Sequence, residues 1–291
     1  MPAEWSTEGK VCVVTGASSG IGRQVALELA RRRARVVLVC RSPERGEKAR
    51  DEIVHESLNP HVDLVVADLF EQREVRRAAA EIDDRYGSLH VLINNAGLLI
   101  GRRRLTSDGI ESTFALNHLA YFLFTNLLVG KLRASAPARI INTSSSAHGL
   151  AKWEWDNLQG ERRYSQWRAY GNSKLANLYF TYELARRLAG TGVTVNAVHP
   201  GLVRSNFGKS ASPAMRAAIA AARPLAKNVV EGAATTVWAT TDPGLSNSTG
   251  KFLSRCALTR SSDESYDGPT ARRLWELSER LTGLGASPAP V

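Results

Sequence analysis

The sequence predicts an α/β protein with a doubly wound parallel sheet that is covered by helices on both faces. Short apolar runs alternate with longer segments of helical period almost without pause. These runs are apolar throughout rather than at every second residue, which is typical of strands buried on both faces. The chain has 291 residues, of which 43% are apolar and 23% charged. This composition supports a sizeable core and excludes a disordered, collagen-like or disulfide-stapled protein.

The elements can be placed in order from these periods. We predict strands at residues 10–15, 35–40, 61–67, 89–94, 139–143 and 193–198. Helices are predicted at 20–33, from 43 onward, and at 71–86, 109–134 and 169–188. Ser42 suits the N-cap of the second helix and Pro43 its first turn. Neither a repeat nor a linker divides the chain, so we expect one domain over residues 1–285 and a flexible tail at 286–291.

Charge and cysteine usage narrow the class of protein. The net charge is +10, but the arginines are scattered and no nucleic-acid-binding motif accompanies them, so a solvated surface and an anionic small ligand explain them better. Cys12 and Cys40 lie inside apolar strands and form no CxxC pair with Cys256, which favours a reducing compartment. The first ten residues lack a signal-peptide core, and residues 116–130 are too short and too polar to span a bilayer. We therefore expect a cytoplasmic protein without a membrane anchor.

A glycine-rich turn joins the first strand to the first helix. It reads Thr-Gly-Ala-Ser-Ser-Gly-Ile-Gly and supplies Gly16, Ser18, Ser19, Gly20, Ile21 and Gly22. A dinucleotide pyrophosphate needs a turn that its phosphates can approach closely, followed by the free N–H groups and positive dipole of a helix N-terminus. A glycine turn in any loop is weak evidence, but its position between strand and helix predicts a nucleotide site.

Together with later motifs, this turn resembles the short-chain dehydrogenase/reductase family over residues 10–283. The motifs are Asp68 after the third strand, Asn94-Asn95-Ala96-Gly97 after the fourth, Tyr170-x-x-x-Lys174, and His199-Pro200-Gly201. Further segments are similar to the retinol-dehydrogenase branch of that family. They are Leu116-Asn117-His118-Leu119, Asp156-Asn157-Leu158-Gln159-Gly160, Ser173-Lys174-Leu175-Ala176-Asn177, the run 192–201, and Arg273-Leu274-Trp275-Glu276.

The resemblance implies a Rossmann fold and a hydride-transferring active site. Tyr170 and Lys174 are four residues apart on a predicted helix, so they share one face. A free phenol ionises near pH ~10. We expect the nearby ammonium and the positive charge of an oxidised nicotinamide to lower that pKa, so that Tyr170 can exchange a proton with the substrate oxygen. In the family, the lysine also binds the nicotinamide ribose.

Two further catalytic residues are implied by the resemblance. A serine at the end of strand five should hold the substrate oxygen, and position alone does not rank Ser144, Ser145 and Ser146. The family pattern places the role on Ser145. Asn117 resembles the family's fourth catalytic residue, which holds a water that links the lysine to solvent, although an Asn within a helix can also be an ordinary back-bonded residue.

The cofactor is expected to be NADP(H) rather than NAD(H). An NAD-selective site usually ends strand two with an acidic residue, and here Arg41 stands there, able to meet the 2′-phosphate. Arg23 is expected to point a second cation toward the same region. The family uses Asp68 for the adenine amine. The other cofactor-binding residues that the resemblance implies are Leu69, Asn95, Ala96, Gly97, Pro200, Gly201 and Val203, with Tyr170 and Lys174.

The sequence thus predicts an NADP(H)-dependent oxidoreductase that interconverts a ketone or aldehyde with an alcohol. Its six histidines show no metal-ligand spacing, and we expect no metal. The segment at about 202–228 is interpreted as a substrate lid, or else as a surface insertion without a gating role. Alternative functions are a carbon–carbon double-bond reductase of the protochlorophyllide-reductase type and a non-catalytic cofactor sensor.

The resemblance favours an oligomer built on helices 109–134 and 169–188, but the long excursion from 145 to 170 could cover that face and leave a monomer.

Overall fold

The computed structural model describes residues 5–204, 207–222, 224 and 226–285, with the side chains of residues 207 and 209 left out. The tail predicted at 286–291 lies outside the described residues. The described part contains an eight-stranded sheet in the order β3-β2-β1-β4-β5-β6-β7-β8. Pairing is parallel from β3 to β7, and only β7 and β8 are antiparallel. An α/β fold with a mostly parallel sheet is therefore confirmed.

The strands and helices alternate as the sequence predicts as far as β6. The strands are β1 Val11–Thr15, β2 Arg35–Cys40, β3 Val62–Val66, β4 Val91–Asn94, β5 Ala138–Thr143, β6 Val193–His199, β7 Lys251–Ser254 and β8 Ala257–Thr259. The helices are α1 Gly20–Arg31, α2 Pro43–Ser57, α3 Gln72–Arg85, α4 Ser112–Phe114, α5 Ala120–Ala134, α6 Gln166–Arg187, α7 Pro213–Ala222, α8 Val229–Thr241 and α9 Gly268–Thr282.

Alternate residues of each central strand feed two different cores. In β1, Val11 and Val13 belong to the core that α3, α5 and α6 cover, whereas Cys12 and Val14 belong to the core under α1, α2 and α8. Because both faces are buried, a run with apolar residues at successive positions is the stable pattern for such a strand. The free thiols of Cys12 and Cys40 are buried, as expected from their place in these runs.

The long helix predicted at 109–134 is interrupted. It begins with α4, passes through a π-helical turn at Ala115–Leu119, and continues as α5. The helix Ser112–Ala134 is long and apolar enough to cross a membrane by length and composition, but 78% of its apolar window is buried inside the fold. It therefore serves as a core helix because of its burial, whereas the expectation that this stretch is too short and too polar to span a bilayer does not hold for the full helix.

The C-terminal part of the chain adds elements that the sequence patterns did not predict. Helix α8 packs against α1, and α9 packs against α6. In α9, the Trp275 ring lies 4.9 Å from that of Phe122 in α5 and 5.9 Å from that of Phe180 in α6, centroid to centroid. Helix α9 therefore packs along α6 and reaches α5 through the Trp275 ring.

Candidate active site

The predicted site residues meet at the carboxyl ends of the parallel strands. The strand order reverses between β1 and β4, and such a switch point opens a crevice beyond the strand ends where ligands bind. The glycine turn follows β1, Arg41 follows β2, Asp68 follows β3, and Asn95 follows β4. One edge of the sheet thus collects the residues that the sequence distributes over the chain.

The glycine turn is packed too tightly for side chains. Gly16 and Gly20 have φ values of +67° and +58°, in the left-handed region that favours glycine. A Cβ on Gly16 would lie 2.9 Å from the Cα of Ala96, and one on Gly22 would lie 2.5 Å from the Gly16 carbonyl oxygen. The turn therefore keeps its backbone open to a ligand on the outer side.

The N-terminus of α1 can accept an anion. Its N-cap residue, Ser19, makes no side-chain capping bond, and no acidic residue occupies the first turn. The first N–H groups and the positive end of the helix dipole therefore face a site free of carboxylates on that turn. The glycine turn and the N-terminus of α1 together fit the pyrophosphate of a dinucleotide.

Thr15, which the sequence analysis did not single out, joins this turn to the end of β4. Its hydroxyl accepts hydrogen bonds from the backbone N–H groups of Asn95 (2.9 Å) and Ala96 (3.1 Å), and the Asn95 amide donates to the Thr15 carbonyl at 2.9 Å. The Asn95 side chain thus holds the crevice together. Thr15 is the last residue of an apolar strand, and the step from apolar to hydroxyl residue at that strand end was the only signal for it.

Arg41 and Asp68 lie together at the carboxyl ends of β2 and β3. Both line a cavity of about 740 Å³, together with Phe70, over whose ring the Arg41 guanidinium lies at 5.8 Å. One Asp68 oxygen accepts from the backbone N–H of Phe70, and Leu69 is buried beneath. Arg41 is exposed and takes part in no ion pair among the described residues.

Arg23 has different partners from those expected. Its guanidinium donates to Glu52 at 3.0 Å and to Glu56 at 2.5 Å, both on α2. Two carboxylates one turn apart on α2 thus bind the Arg23 guanidinium. A contact between Arg23 and the 2′-phosphate stays a prediction.

Ser145, Tyr170 and Lys174 come together as predicted. The Ser145 side chain hydrogen-bonds the phenol of Tyr170. The Lys174 ammonium lies 5.6 Å from the centroid of the Tyr170 ring and donates to the Thr143 carbonyl at 3.0 Å. Tyr170 sits in the first turns of α6 and Lys174 one turn later, so the helix places both side chains on one face.

The structure also separates the three serines. The hydroxyl of Ser144 is buried and donates to the Lys174 carbonyl at 2.8 Å, whereas Ser146 is exposed. Ser145 is half-buried, contacts Tyr170, and accepts from the Ala147 N–H at 3.2 Å. Of the three, Ser145 has the geometry to hold a substrate oxygen beside the phenol.

Burial has the largest effect on the pKa values of Tyr170 and Lys174. It raises the pKa of Tyr170 to about 12, opposed by the hydrogen bond from Ser145, and lowers the pKa of Lys174 to about 7. The expectation that the lysine lowers the tyrosine pKa therefore does not hold for the protein alone. Both groups share one poorly solvated pocket, where the charged form of each is disfavoured. At neutral pH the phenol is protonated and the lysine is near its own midpoint.

Asn117 lies in the π-helical turn, fully buried. Its side-chain oxygen accepts from the Leu98 N–H at 2.9 Å, and its amide donates to the Leu98 carbonyl and to Ser173, each at 3.0 Å. A Cβ on Gly97 would lie 3.2 Å from the Asn117 oxygen and 3.5 Å from the Lys174 Nζ. Asn117 and Lys174 therefore flank the same backbone position, and π-turns often occur at functional sites.

The segment after β6 closes the other side of the crevice. The ring Nδ1 of His199 accepts from the N–H groups of Ser146 (3.3 Å) and Gly201 (3.4 Å), and burial lowers the His199 pKa to about 4. Gly201 has a φ of +92°, Pro200 is buried, and Val203 pairs with Lys227 in a short bridge. This neutral histidine fixes the loop that carries Pro200 and Gly201 next to the serines.

The segment predicted to be a lid lies against Tyr170. It contains the Ala-rich helix α7, and Ala211 just before this helix packs with Leu99 and Tyr170. The Gly101 N–H donates to the Ser210 carbonyl at 2.8 Å. Gln166 and Ser212 exchange two hydrogen bonds, of 2.7 and 3.0 Å. Helix α6 and the loop after β4 thus both hold this segment.

Comparisons with known proteins agree with this geometry. The sequence profile of the short chain dehydrogenases matches residues 10–216. Retinol dehydrogenase 12 of Bos taurus is 44% identical over 276 residues, which are 95% of this chain and 87% of that protein. Among solved structures, an uncharacterized protein from Mycobacterium paratuberculosis superposes with a TM-score of 0.78 at 33% identity, covering 97% of this chain and 98% of that one. A short chain dehydrogenase from Burkholderia cenocepacia in complex with NADP has a TM-score of 0.69 at 28% identity, covering 86% and 97%.

Proposed function

Because the chain belongs to the short-chain dehydrogenase family and is a retinol-dehydrogenase-like oxidoreductase, we propose that it reduces a ketone or aldehyde with NADP(H), or oxidises the corresponding alcohol. The observation that carries the proposal is the contact of Ser145 with Tyr170, with Lys174 beneath the phenol. A non-catalytic sensor would need the nucleotide cradle but not a buried proton donor paired with a serine.

Each residue has a distinct task in this reaction. When bound, the nicotinamide supplies or accepts the hydride. Ser145 donates a hydrogen bond to the carbonyl oxygen and holds it beside the phenol. Tyr170, protonated at neutral pH, gives its proton to that oxygen as negative charge develops there. In oxidation Tyr170 must first be in its phenolate form, which then accepts the proton of the alcohol.

Lys174 and Asn117 support the proton transfer. Since the pKa of Lys174 lies at about 7, it can lose and regain a proton near neutrality while it stays beneath the Tyr170 ring. Asn117 holds the backbone at Leu98, which keeps the end of β4 in place next to Lys174. We propose that it also positions a water that leads from Lys174 to solvent.

The cofactor would be held along the strand ends. The glycine turn and the N-terminus of α1 would take the pyrophosphate, Asp68 and Leu69 the adenine, and Arg41 the 2′-phosphate. The end of β4 (Asn95 to Gly97), Pro200, Gly201 and Val203 would take the nicotinamide side. Arg41 in place of an acid at the end of β2, and the NADP complex of the Burkholderia cenocepacia relative, both support NADP(H).

The segment at about 202–228 is proposed to be the substrate lid of a single domain. Ala211 contacts Tyr170, so a substrate at the phenol would lie directly beneath this segment. The buried free thiols of Cys12 and Cys40 support a reducing compartment, and we place the protein in the cytoplasm.

A cofactor-consumption screen tests the proposed function. Purified protein and NADPH, with NADH in parallel, are mixed with aromatic ketones, polyketide-like ketones, steroids, aliphatic aldehydes and retinal. Oxidation of NADPH with formation of the alcohol is the expected result. An α,β-unsaturated ketone separates the two reductase reactions, because carbonyl reduction gives the allylic alcohol and double-bond reduction gives the saturated ketone. Formation of only the saturated ketone, or no turnover with any carbonyl, would contradict the proposal.

A further inference from the structure

A second polar layer lies beneath the catalytic lysine. The Thr143 carbonyl at the end of β5 accepts two hydrogen bonds, one from the Lys174 Nζ at 3.0 Å and one from the Asn177 amide at 3.1 Å. Asn177 is fully buried on α6, three residues after Lys174. One backbone oxygen thus connects the catalytic ammonium to a side chain that has no place in the reaction described so far.

His118 sets the orientation of the Asn177 amide. Its ring Nδ1 lies 3.4 Å from the Asn177 side-chain oxygen, and its Nε2 lies 3.1 Å from the Ser278 hydroxyl of α9. Burial lowers the pKa of His118 to about 4, so the ring is neutral and carries one proton. The Ser278 hydroxyl lies 2.8 Å from the Leu274 carbonyl and 3.1 Å from Nε2, and when it donates to Nε2 the ring proton is on Nδ1. The ring then donates to the Asn177 oxygen, which turns the NH₂ group of Asn177 toward Thr143.

The π-helical turn brings this histidine inside. Asn117 and His118 are consecutive, yet both are fully buried and both make side-chain hydrogen bonds in the interior. Successive residues of a regular α-helix point about 100° apart, and the wider π-turn allows both to face α6. The π-helical turn therefore places Asn117 next to Leu98, which follows β4, and His118 in the polar layer below Lys174.

Three segments of the retinol-dehydrogenase-like pattern meet at this layer. Residues 116–119 supply His118, residues 173–177 supply Lys174 and Asn177, and the helix that carries 273–276 supplies Ser278. The ring of Trp275 packs on those of Phe122 and Phe180 and so fixes α9 against both other helices. Two of these segments and the helix that carries the third are thus joined by hydrogen bonds.

We propose that Asn177 and His118 are positioning residues of the reaction, which hold the Thr143 carbonyl and through it keep the Lys174 ammonium beneath Tyr170. This inference rests on the proposed function. Because the Thr143 carbonyl accepts hydrogen bonds from both Asn177 and Lys174, its position is fixed, and the position of the lysine is fixed with it. If Lys174 were the only donor, this flexible side chain would be free to move. Helix α9 anchors the layer through Ser278, so a C-terminal element stabilises the geometry of the catalytic centre.

The first test is Asn177→Asp, with Asn172→Asp as the matched control. Asn172 is also buried on α6 and makes two side-chain hydrogen bonds, but its partner is the backbone of Lys152. The readouts are the titration of Lys174, followed by NMR of protein labelled with ¹³C at the lysine ε-carbons and assigned with Lys174→Met, and the kcat of carbonyl reduction. Tyr121 and Tyr170 are the titratable side chains that the described residues place against Lys174, and both remain in every variant.

Asn177→Asp is expected to raise the titration midpoint of Lys174 by about one unit or more, because a carboxylate favours the charged lysine, and to lower kcat about tenfold or more. Asn172→Asp should leave both nearly unchanged. A folded Asn177→Asp variant with the wild-type midpoint and kcat would overturn the inference. If the wild type reduces no carbonyl, the proposed function fails, while the NMR titration still decides whether the layer controls Lys174.

A second pair of variants covers the case in which Asn177→Asp does not fold. His118→Leu removes the donor to Asn177, whereas the amide NH₂ group of His118→Asn can replace the Nδ1–H. We expect kcat to fall several-fold in the first and to recover in the second, with cofactor affinity unchanged in both. Equal kcat values for the two variants and the wild type would contradict the positioning role.

Discussion

Arg41 is the side chain on which cofactor choice depends in this account. It stands where an acid would bind the ribose of NAD, is exposed at the rim of a cavity, and has no ion-pair partner among the described residues. Arg41→Ala should weaken NADPH binding about tenfold or more, because a charge-assisted contact to phosphate contributes about 1.5–3 kcal/mol. NADH affinity should barely change.

Fluorescence titration of both cofactors measures this effect, with Arg23→Ala as the comparison. Since Glu52 and Glu56 already bind Arg23, its removal should cost less NADPH affinity than the removal of Arg41. Equal losses of NADPH and NADH affinity in Arg41→Ala would refute the assignment.

We expect the buried Lys174 to lower the free energy of unfolding at low pH. Its pKa is lowered to about 7 from 10.5, so the unfolded chain binds the proton more tightly and stability rises with pH between these two values. Lys174→Met should therefore be more stable than the wild type at about pH 6, by about 1–3 kcal/mol. The difference in the free energy of unfolding between the variant and the wild type should shrink at about pH 9, because the folded wild type then holds Lys174 in its neutral form.

Urea unfolding at both pH values tests this prediction. The Thr143 carbonyl keeps its hydrogen bond from Asn177 in the variant, so no acceptor is left without a donor. A wild type that is more stable than Lys174→Met at the lower pH would show that burial does not penalise the ammonium.

Residue identities at the site were predictable where a motif fixes them, and their energetics were not. The spacing of Tyr170 and Lys174 is visible in the sequence, but their pKa values follow from burial, which depends on the whole fold. Likewise, a run of three serines at a strand end has no period that ranks them. Only the buried bond from Ser144 to the Lys174 carbonyl leaves Ser145 for the phenol.

At the level of elements, Gly101 is the residue on which the proposed lid packs. A Cβ on Gly101 would lie 2.5 Å from the backbone nitrogen of Ser212 and 2.8 Å from the carbonyl carbon of Ala211, so Gly101→Ala should push this segment away from Tyr170. We expect kcat/KM for the carbonyl substrate to fall about tenfold, because water enters the site and the substrate is held less well. NADPH affinity should change little.

Steady-state kinetics with Gly149→Ala as control checks the role of this contact. A Cβ on Gly149 would meet nothing within 4 Å, so that variant should behave as the wild type. Unchanged kcat/KM in Gly101→Ala would mean that the segment has no part in substrate binding.

Periodicity predicted the elements up to β6 and failed beyond it. Strand β7 has four residues and β8 three exposed ones, too few for a pattern of burial. The π-turn at Ala115–Leu119 is equally hidden, because one inserted residue shifts which side chains face inward without altering the apolar composition. It nevertheless decides that Asn117 and His118 are both buried.

For the whole molecule, the structure favours one of the two assembly states that the sequence left open. Helix α6, which is half of the expected dimer surface, packs against α9 of the same chain, and its residues Tyr170 to Thr181 are buried without any partner. The Trp275 ring of α9 also contacts Phe122 of α5. We therefore expect a monomer. Light scattering at low protein concentration should give the mass of one chain, and a concentration-independent dimer would contradict this expectation.

In the proposed reaction, Tyr170 is hydrogen-bonded to Ser145, lies next to Lys174, and transfers the proton in carbonyl reduction. Tyr170→Phe removes the phenol hydroxyl and keeps the ring, and Tyr179→Phe on the same helix is the matched control. Single-turnover kinetics with bound NADPH and the best carbonyl of the screen is the most direct measurement. We predict nearly unchanged NADPH affinity and a rate lowered by about two or more orders of magnitude, a loss of about 3 kcal/mol in barrier lowering. A near-normal rate in Tyr170→Phe would remove Tyr170 from the mechanism.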